Sequence, residues 1–459
     1  MRALLALVPI ASLALAGCAV SLSSAPQVWT TGFWFWKGSS TGVTWSNEPL
    51  DVLFVQVGNI HHETWPALVR GPSSGWSANG ELPRRLPEAR DYWLVYRYDR
   101  QDVPDLKVIP MIADSVGGML FAAGERGLHV AGVQLDIDSP TGSLAQYAAF
   151  LRELRKSLPD GVQISITALL DWFRSGTEVG AVIRETDEFV PQFYDLVGEP
   201  YSHEGLSAIG ARIDAARLGP VFNRFGKRFR VGISTFGRAV EVSRPDAPGR
   251  GYPGFRIYGD LAPIDIATNP AFQLQTESNE AKELVLRYRV MRNVRISYNT
   301  LEPGETIQFV VATPESVRTA VDSARRITGH MAGVVFFRWP GDRETLAMQP
   351  GEVLSAAGLR PEDGQAPYRI HTVDGHCVAV SCVDVFVEST RLFSAKEVRY
   401  RIRASTELEY FLPEKKLTVR MTGPSELELS LPPYCARGII LVGRAVTVNR
   451  AEFTVEAEQ

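Results

Sequence analysis

The sequence lacks the features that suit a chain to nucleic acid, metal ions or phosphate cofactors. Its 48 lysine and arginine residues are balanced by 52 aspartate and glutamate residues, and no run of like charges occurs. Nucleic-acid-binding domains usually carry a basic face, so we expect no nucleic-acid partner. The 7 histidines show no zinc-ligand spacing, and there is no glycine-rich phosphate loop. We therefore expect neither a metal nor a cofactor.

Cysteine is also scarce, with 4 residues among 459. Three of them, Cys377, Cys382 and Cys435, lie near the C-terminus and allow one disulfide with one cysteine left over. Cys377 and Cys382 are an odd number of residues apart, so a regular strand would place them on opposite faces. Either can therefore pair with Cys435, or a bulge can bring the two together. We expect one structural disulfide in this region.

The N-terminus reads as a targeting segment rather than as part of the fold. The apolar run Ala3–Ala16 is too short to span a membrane comfortably. It ends in Leu15-Ala16-Gly17-Cys18, which resembles the bacterial lipobox, and the resemblance implies lipidation of Cys18. A plain secretory signal is the alternative. We expect residues 1–18 to be a signal peptide and residues 19–30 a tether.

Ala19 follows that cysteine, and its resemblance to Gram-negative lipoproteins implies export to the outer membrane. The protein would then be a lipid-anchored, monomeric component of the bacterial cell envelope in an oxidising compartment. Its contact with the membrane would be through the anchor only.

Strand-like segments alternate with helical patterns between residues 31 and 359, which predicts an α/β fold with a parallel sheet. Setting aside 92–98 as an inserted hairpin, and also 307–313, leaves eight strands, the number in a (β/α)8 TIM barrel. Residues 236–300 are too long for a simple connection and predict an insertion over the barrel mouth. The eight segments are 32–36, 51–58, 107–113, 132–138, 162–168, 189–195, 229–235 and 333–339.

The pattern changes after a polar linker at residues 360–367. Residues 368–459 contain short strand patterns separated by turns and keep no helical period. This pattern predicts a small all-β sandwich domain.

The stretch 132–140 is the clearest candidate for chemistry. Three apolar residues alternate there with Gln134, Asp136 and Asp138. Alternate residues of a strand share a face, so the two carboxylates lie together at the carboxyl end of the strand, where barrel enzymes keep their active sites. Like charges buried together cannot both ionise easily, so one pKa should rise and keep a proton available for general acid catalysis.

This stretch resembles the fourth-strand signature Gly-x-Asp-x-Asp-x-Glu of the chitinase-like, family-eighteen glycoside hydrolases, which is often followed by Tyr-Pro. Gly132, Asp136 and Pro140 match the signature. Gln134 replaces its first acid, and Asp138 stands where the family has its catalytic glutamate.

Three further motifs support the resemblance. Gln192-Phe193-Tyr194-Asp195 resembles the sixth-strand Met-x-Tyr-Asp, and Trp339 resembles the tryptophan on the floor of the sugar site. Ser115-Val116-Gly117-Gly118 resembles a third-strand Ser-x-Gly-Gly. The chain as a whole also resembles an uncharacterised bacterial lipoprotein family, domain of unknown function 3142.

The resemblance implies a glycoside hydrolase whose substrate contains N-acetylated amino sugars, with the substrate's acetamido group as nucleophile. Asp138 would be the acid/base, Asp136 would orient the acetamido N–H, and Tyr194 would donate to the acetamido oxygen. Gln192 and Asp195 would support them, and Trp339 would stack under the sugar.

Other residues could bind substrate at the mouth. These are Gln134 on the fourth strand, Gln56 on the second strand and Asp114 just past the third. Trp34 and Trp36 share a strand face and favour core packing over a stacking platform.

Asp138 is one methylene shorter than glutamate, about 1.5 Å by one C–C bond. The alternative is therefore a non-catalytic glycan-binding or envelope-assembly lipoprotein on a degenerate hydrolase barrel.

Overall fold

Eight parallel strands close into a barrel in the computed structural model. The order around the barrel is β1-β8-β7-β6-β5-β4-β3-β2, and β2 pairs with β1 to complete the circle. The predicted TIM barrel is confirmed. The strands are β1 (Thr30–Phe35), β2 (Leu50–Asn59), β3 (Ala89–Tyr98), β4 (Val130–Ile137), β5 (Gln163–Ala168), β6 (Glu188–Phe193), β7 (Arg228–Ser234) and β8 (Met331–Phe337). The described residues are 29–39, 49–62, 75–194, 213–243, 255–258, 261–280, 283–341, 344–360, 368–377, 381–389, 398–414, 417–431 and 438–458.

The strands bury both faces, as parallel barrel strands do. In β4, Val133, Leu135 and Ile137 are fully buried in the core between the sheet and the helices. Gln134 and Asp136 are equally buried on the inner face. Because side chains alternate, the strand places its polar residues inside the barrel and its apolar residues beneath the helices.

The third strand is where the sequence prediction fails. Residues 92–98 form most of β3, whereas the predicted strand 107–113 belongs to a 3-10 turn and the start of a helix, Ile109–Glu125. The buried residues Val108, Ile112 and Val116 recur at helical spacing. A short apolar run does not distinguish a strand from a buried helix, and Pro110 suits the first turn of a helix.

This change moves two predicted features away from the barrel mouth. Ser115-Val116-Gly117-Gly118 lies within the helix, so its assignment to a third strand is wrong. Asp114 lies on the same helix and is exposed, so it does not follow the third strand.

Helices cover the outside of the barrel between successive strands. The stretch Leu106–Glu125 is the only one among the described residues that is long and apolar enough to cross a membrane, a test that core helices also pass. Here Ile112 and Val116 pack into the barrel core. The helices of the barrel are α1 (Ile109–Glu125), α2 (Leu144–Ser157), α3 (Val179–Arg184), α4 (Ala215–Asn223), α5 (Pro314–Arg325) and α6 (Pro350–Ala356).

An insertion separates β7 from α5. It builds a five-stranded antiparallel sheet around its own apolar core, which includes Leu286 and Phe309. Residues 307–311 belong to this sheet, so leaving 307–313 out of the barrel was correct. The insertion contains strands Gly237–Val242, Phe255–Tyr258, Phe272–Glu280, Glu283–Val290 and Thr306–Val311, the hairpin Val294–Ile296 and Asn299–Leu301, and the helix Pro263–Ala267.

The C-terminal region is all-β, as predicted. Two four-stranded sheets enclose one core that includes Val385, Tyr400 and Leu427. Cys377 and Cys382 form a disulfide across the turn of a hairpin, while Cys435 lies outside the described residues. The strands are Tyr368–Asp374, Ser381–Ser389, Val398–Ala404, Leu408–Pro413, Thr418–Gly423, Glu426–Leu431, Gly438–Thr447 and Phe453–Glu458.

Candidate active site

A cleft of about 530 Å³ opens at the carboxyl end of the barrel strands. Asp136 and Asp138 lie on its wall, at the end of β4 and just beyond it. Because all eight strands are parallel, the loops that follow them meet at this end. The cleft therefore lies where the sequence places the carboxylate pair.

Asp136 is held rigidly inside the barrel. Its side chain is about 1% exposed. Thr167 donates to Oδ1 at 2.7 Å, Gln192 approaches the same oxygen at 3.5 Å, and Arg97 donates to Oδ2 at 2.6 Å. Both carboxylate oxygens thus accept hydrogen bonds from side chains of neighbouring strands.

Asp138 lies in a more open environment. Its side chain is 33% exposed, and Arg97 donates to its Oδ2 at 3.1 Å. Burial raises the pKa of Asp138, the charge of Asp136 raises it further, and Arg97 opposes both effects. The two acids are therefore unequal. Asp136 is buried and accepts from three donors, whereas Asp138 is partly exposed and its pKa is raised.

Arg97 is the residue at this site that the sequence analysis missed. It is the last but one residue of β3, lies beside Asp136 in the barrel register and also donates to Asp99 at 2.7 Å. Three carboxylates thus surround one guanidinium, and Asp136 and Asp138 are the main charges that raise the pKa of Arg97. Accepting 92–98 as a barrel strand would have revealed it, because Arg97 then falls on the inward face.

Tyr194 lies at the floor of the cleft beside the carboxylates. Burial raises the pKa of Tyr194 well above its usual value, and the nearby Asp136 and Asp138 raise it further. The phenol therefore stays protonated and can donate. Its ring stacks on Phe337 with centroids 4.4 Å apart, and Trp36 meets Phe337 edge-on at 5.8 Å.

Trp339 does not lie in the cleft, which corrects the prediction of a stacking tryptophan. Its side chain is buried on the outer side of the sheet, where its ring packs against Phe33 and Phe35. The strand ends at Phe337, two residues earlier than predicted. Phe337 is consequently the aromatic residue of β8 that lines the cleft, together with Trp36 after β1.

The remaining predicted residues are divided between the cleft and the barrel interior. Gln56 and Gln192 line the cleft. Gln134 is fully buried below it, accepting from Trp34 Nε1 at 2.7 Å and donating to Ser165 at 3.1 Å. Gln134 therefore supports the inner layer rather than lining the opening. Asp195 and Cys18 lie outside the described residues. Within the described part of the chain, no cluster of three potential ligands could hold a metal.

The fold and this site define a (β/α)8 barrel with an acid pair at the end of its fourth strand. Residues 89–246 match the family described as Domain of unknown function (DUF3142), which confirms the predicted resemblance to that domain. This match runs from β3 through β7 and therefore includes Arg97 and both acids. No curated protein sequence matches the chain.

Several solved structures are similar to the chain at low identity. Chitinase ChiA74 from Bacillus thuringiensis is 11% identical with a TM-score of 0.43, covering 93% of this chain and 100% of that one. The C-terminal domain of a putative chitinase from Desulfitobacterium hafniense DCB-2 is 13% identical with a TM-score of 0.46, covering 72% and 100%. The spore cortex-lytic enzyme SleL from Bacillus cereus is 13% identical with a TM-score of 0.43, covering 74% and 76%.

Proposed function

We propose that the protein hydrolyses a glycan containing N-acetylated amino sugars, with Asp138 as the acid/base. The observation that carries the proposal is the difference between the two acids: Asp136 is buried and accepts from three donors, and Asp138 is part-exposed in the cleft with a raised pKa. A general acid needs a proton near the working pH and access to the leaving oxygen. Asp138 is exposed to the cleft, and its pKa is shifted in the direction that a general acid requires.

The other groups of the site take complementary roles in this proposal. Protonated Asp138 would donate to the glycosidic oxygen, while Asp136 would accept from the acetamido N–H and orient that group as nucleophile. Tyr194 would donate its hydroxyl to the acetamido oxygen, where charge develops. Phe337 and Trp36 would contact the sugar through their rings, the role that the family resemblance implied for Trp339.

The ion pair of Asp138 with Arg97 favours a second candidate function, glycan binding without cleavage. A guanidinium at 3.1 Å competes with a substrate for the carboxylate. However, Asp138 is not sealed by this pair, since a third of its side chain remains exposed. Hydrolysis requires only that the pair loosen when a glycan enters.

A panel of glycans tests the two functions. Chitin oligosaccharides, peptidoglycan fragments and an N-acetylated exopolysaccharide would be incubated with the wild type and with Asp138→Asn, and products followed by mass spectrometry. Release by the wild type alone is expected. Equal release by both would refute Asp138 as the acid, and binding without release by either would establish the binding function.

We further propose a lipid anchor at Cys18 in the outer membrane, on the lipobox-like sequence that ends there. Fractionation of cells expressing the wild type and Cys18→Ser tests it, and the variant should move to the soluble fraction. Membrane retention of Cys18→Ser would refute the anchor.

A further inference from the structure

The acidic residues of the cleft are concentrated on one of its sides. Its acidic residues Asp99, Asp136, Asp138 and Asp171 come from or follow β3, β4 and β5. On the opposite side, the loops after β8 and β1, which are neighbours in the barrel, carry basic residues. This second wall, which we call the basic wall, consists of Trp36, Lys37 and Arg338.

The basic wall contains buried donors without acceptors. Trp36 Nε1 and Arg338 Nε are both shielded from solvent, and neither has a hydrogen-bond partner among the residues described. A buried N–H that has lost water without gaining an acceptor is destabilising. Two such groups on one wall of a cleft indicate that an acceptor enters from outside.

Like charges are also held together here. Arg238, on the strand that follows β7, lies close enough to Arg338 that burial and this neighbour lower the pKa of Arg238 to about 10. Burial likewise lowers the pKa of Arg338. Glu344 pairs with Arg338 and also accepts from the Gly341 N–H at 2.9 Å. Among the described residues, Glu344 is the carboxylate that pairs with Arg338, and Lys37 and Arg238 bring further positive charge to this side of the cleft, which a bound anion would offset.

We propose that the basic wall binds a carboxylate on the sugar substrate, so that the glycan is acidic. The proposal rests on the function above and deepens it: the substrate class becomes N-acetylated amino sugars of which at least one carries a carboxylate. Guanidinium and carboxylate are both planar and match through paired hydrogen bonds. Phe337 lines the same cleft as both groups, and a sugar that contacts its ring would present one edge to the acids and another to Arg338.

Calorimetric titration of Asp138→Asn, which keeps the ligand intact, tests this site. The probes are the disaccharide of N-acetylglucosamine and N-acetylmuramic acid, its carboxyl-reduced derivative, and a disaccharide whose only charged group is a phosphate ester. We expect the carboxylate form to bind roughly 10- to 100-fold more tightly than the reduced form, in line with a charged hydrogen bond. Added salt should narrow the difference.

Variants of the basic wall should remove that selectivity. Arg338→Gln in the same background should bring the affinities of the two forms to within about threefold. The remaining difference in binding free energy would be less than about 1 kcal/mol. Trp36→Phe keeps an aromatic ring but removes the indole N–H donor, and it should reduce the selectivity for the carboxylate form in part. Arg100→Gln, which removes an exposed arginine outside the cleft, is the matched control and should leave it unchanged. Thermal melting identifies any variant that fails to fold, and Trp36→Phe and Lys37→Gln then replace Arg338→Gln.

The outcomes separate this proposal from hydrolysis. Equal binding of the carboxylate and reduced forms, or tighter binding of the phosphate ester, would overturn the carboxylate site. Selective binding by a wild type that cleaves nothing would uphold the site and refute hydrolysis. If the wild type cleaves neutral glycans and Arg338→Gln does not change that cleavage, hydrolysis would be upheld and the carboxylate site refuted.

Discussion

Two arginine–carboxylate groups lie inside the same barrel, one at each end. At the amino end, Glu188 of β6 pairs with Arg230 of β7, and their side chains are about 1% and 4% exposed. At the mouth, Arg97 pairs with Asp136 and Asp138, and the arginine and Asp138 are each about a third exposed.

The balance of charge also differs between the two ends. At the amino end, Arg228 reaches Glu188 at 3.5 Å as well, so two guanidinium groups face one carboxylate. At the mouth, three carboxylates face one guanidinium. The pair at the amino end is almost fully buried, whereas Asp138 at the mouth is partly exposed, and burial together with the charge of Asp136 raises its pKa. The same residue types thus form a buried ion pair at one end of the barrel and line the cleft with the proposed acid at the other.

The largest expected effect is on catalysis at the mouth. Asp138→Asn should lower kcat/KM for the cleaved glycan by about 10²- to 10⁴-fold, the usual contribution of a general acid. Asp102→Asn, which removes a carboxylate paired with Arg100 outside the cleft, is the matched control. Initial-rate kinetics on both variants measure the two values of kcat/KM. A similar loss of kcat/KM in both would contradict the assignment of Asp138 as the acid at the mouth of the barrel.

The largest expected effect on stability is at the amino end. Glu188→Gln leaves Arg230 buried without its carboxylate and should lower the free energy of unfolding by about 3–5 kcal/mol. Glu185→Gln breaks a pair with the exposed Arg152 and should cost less than about 1 kcal/mol. Urea denaturation of the two variants measures the difference. Equal losses would show that burial does not distinguish the two pairs.

Removal of the shared guanidinium should change the pH profile of the reaction. Arg97 lowers the pKa of Asp138 against the effects of burial and Asp136, so Arg97→Gln should raise that pKa further. Activity requires protonated Asp138, and the high-pH limb of kcat/KM should therefore move to higher pH. Arg100→Gln should leave the limb in place. An unchanged or lowered limb in Arg97→Gln would contradict the assignment of the acid.

The smallest expected effect is on the pH dependence of stability. Because the pKa of Asp138 is raised on folding, the folded protein binds this proton more tightly than the unfolded chain. Wild-type stability should fall as pH rises from the ordinary carboxyl range through the raised pKa. Asp138→Asn lacks this proton, so its melting temperature relative to the wild type should be more favourable at pH 7 than at pH 4. A difference independent of pH would mean that folding does not raise this pKa.

Sequence patterns predicted the elements whose period is unambiguous. β4 was recognised because Val133, Leu135 and Ile137 alternate with polar residues, and that alternation also placed Asp136 and Asp138 together. The C-terminal strands were recognised as short strand patterns separated by turns, with no helical period. The third strand was misassigned because 92–98 and 107–113 are both short apolar runs, and local pattern does not show which one pairs with β2 and β4.

The order of strand and helix patterns was enough to predict the barrel and the C-terminal sandwich, although one barrel strand was misassigned, and side-chain alternation within β4 was enough to place the two carboxylates together. Only the tertiary structure decided what surrounds the pair. Arg97 meets the two acids through strand pairing, and Phe337 takes the floor while Trp339 turns outward, because β8 ends two residues earlier than its pattern indicates. Contacts between distant segments depend on register and on strand ends, and neither is encoded in the period of one segment.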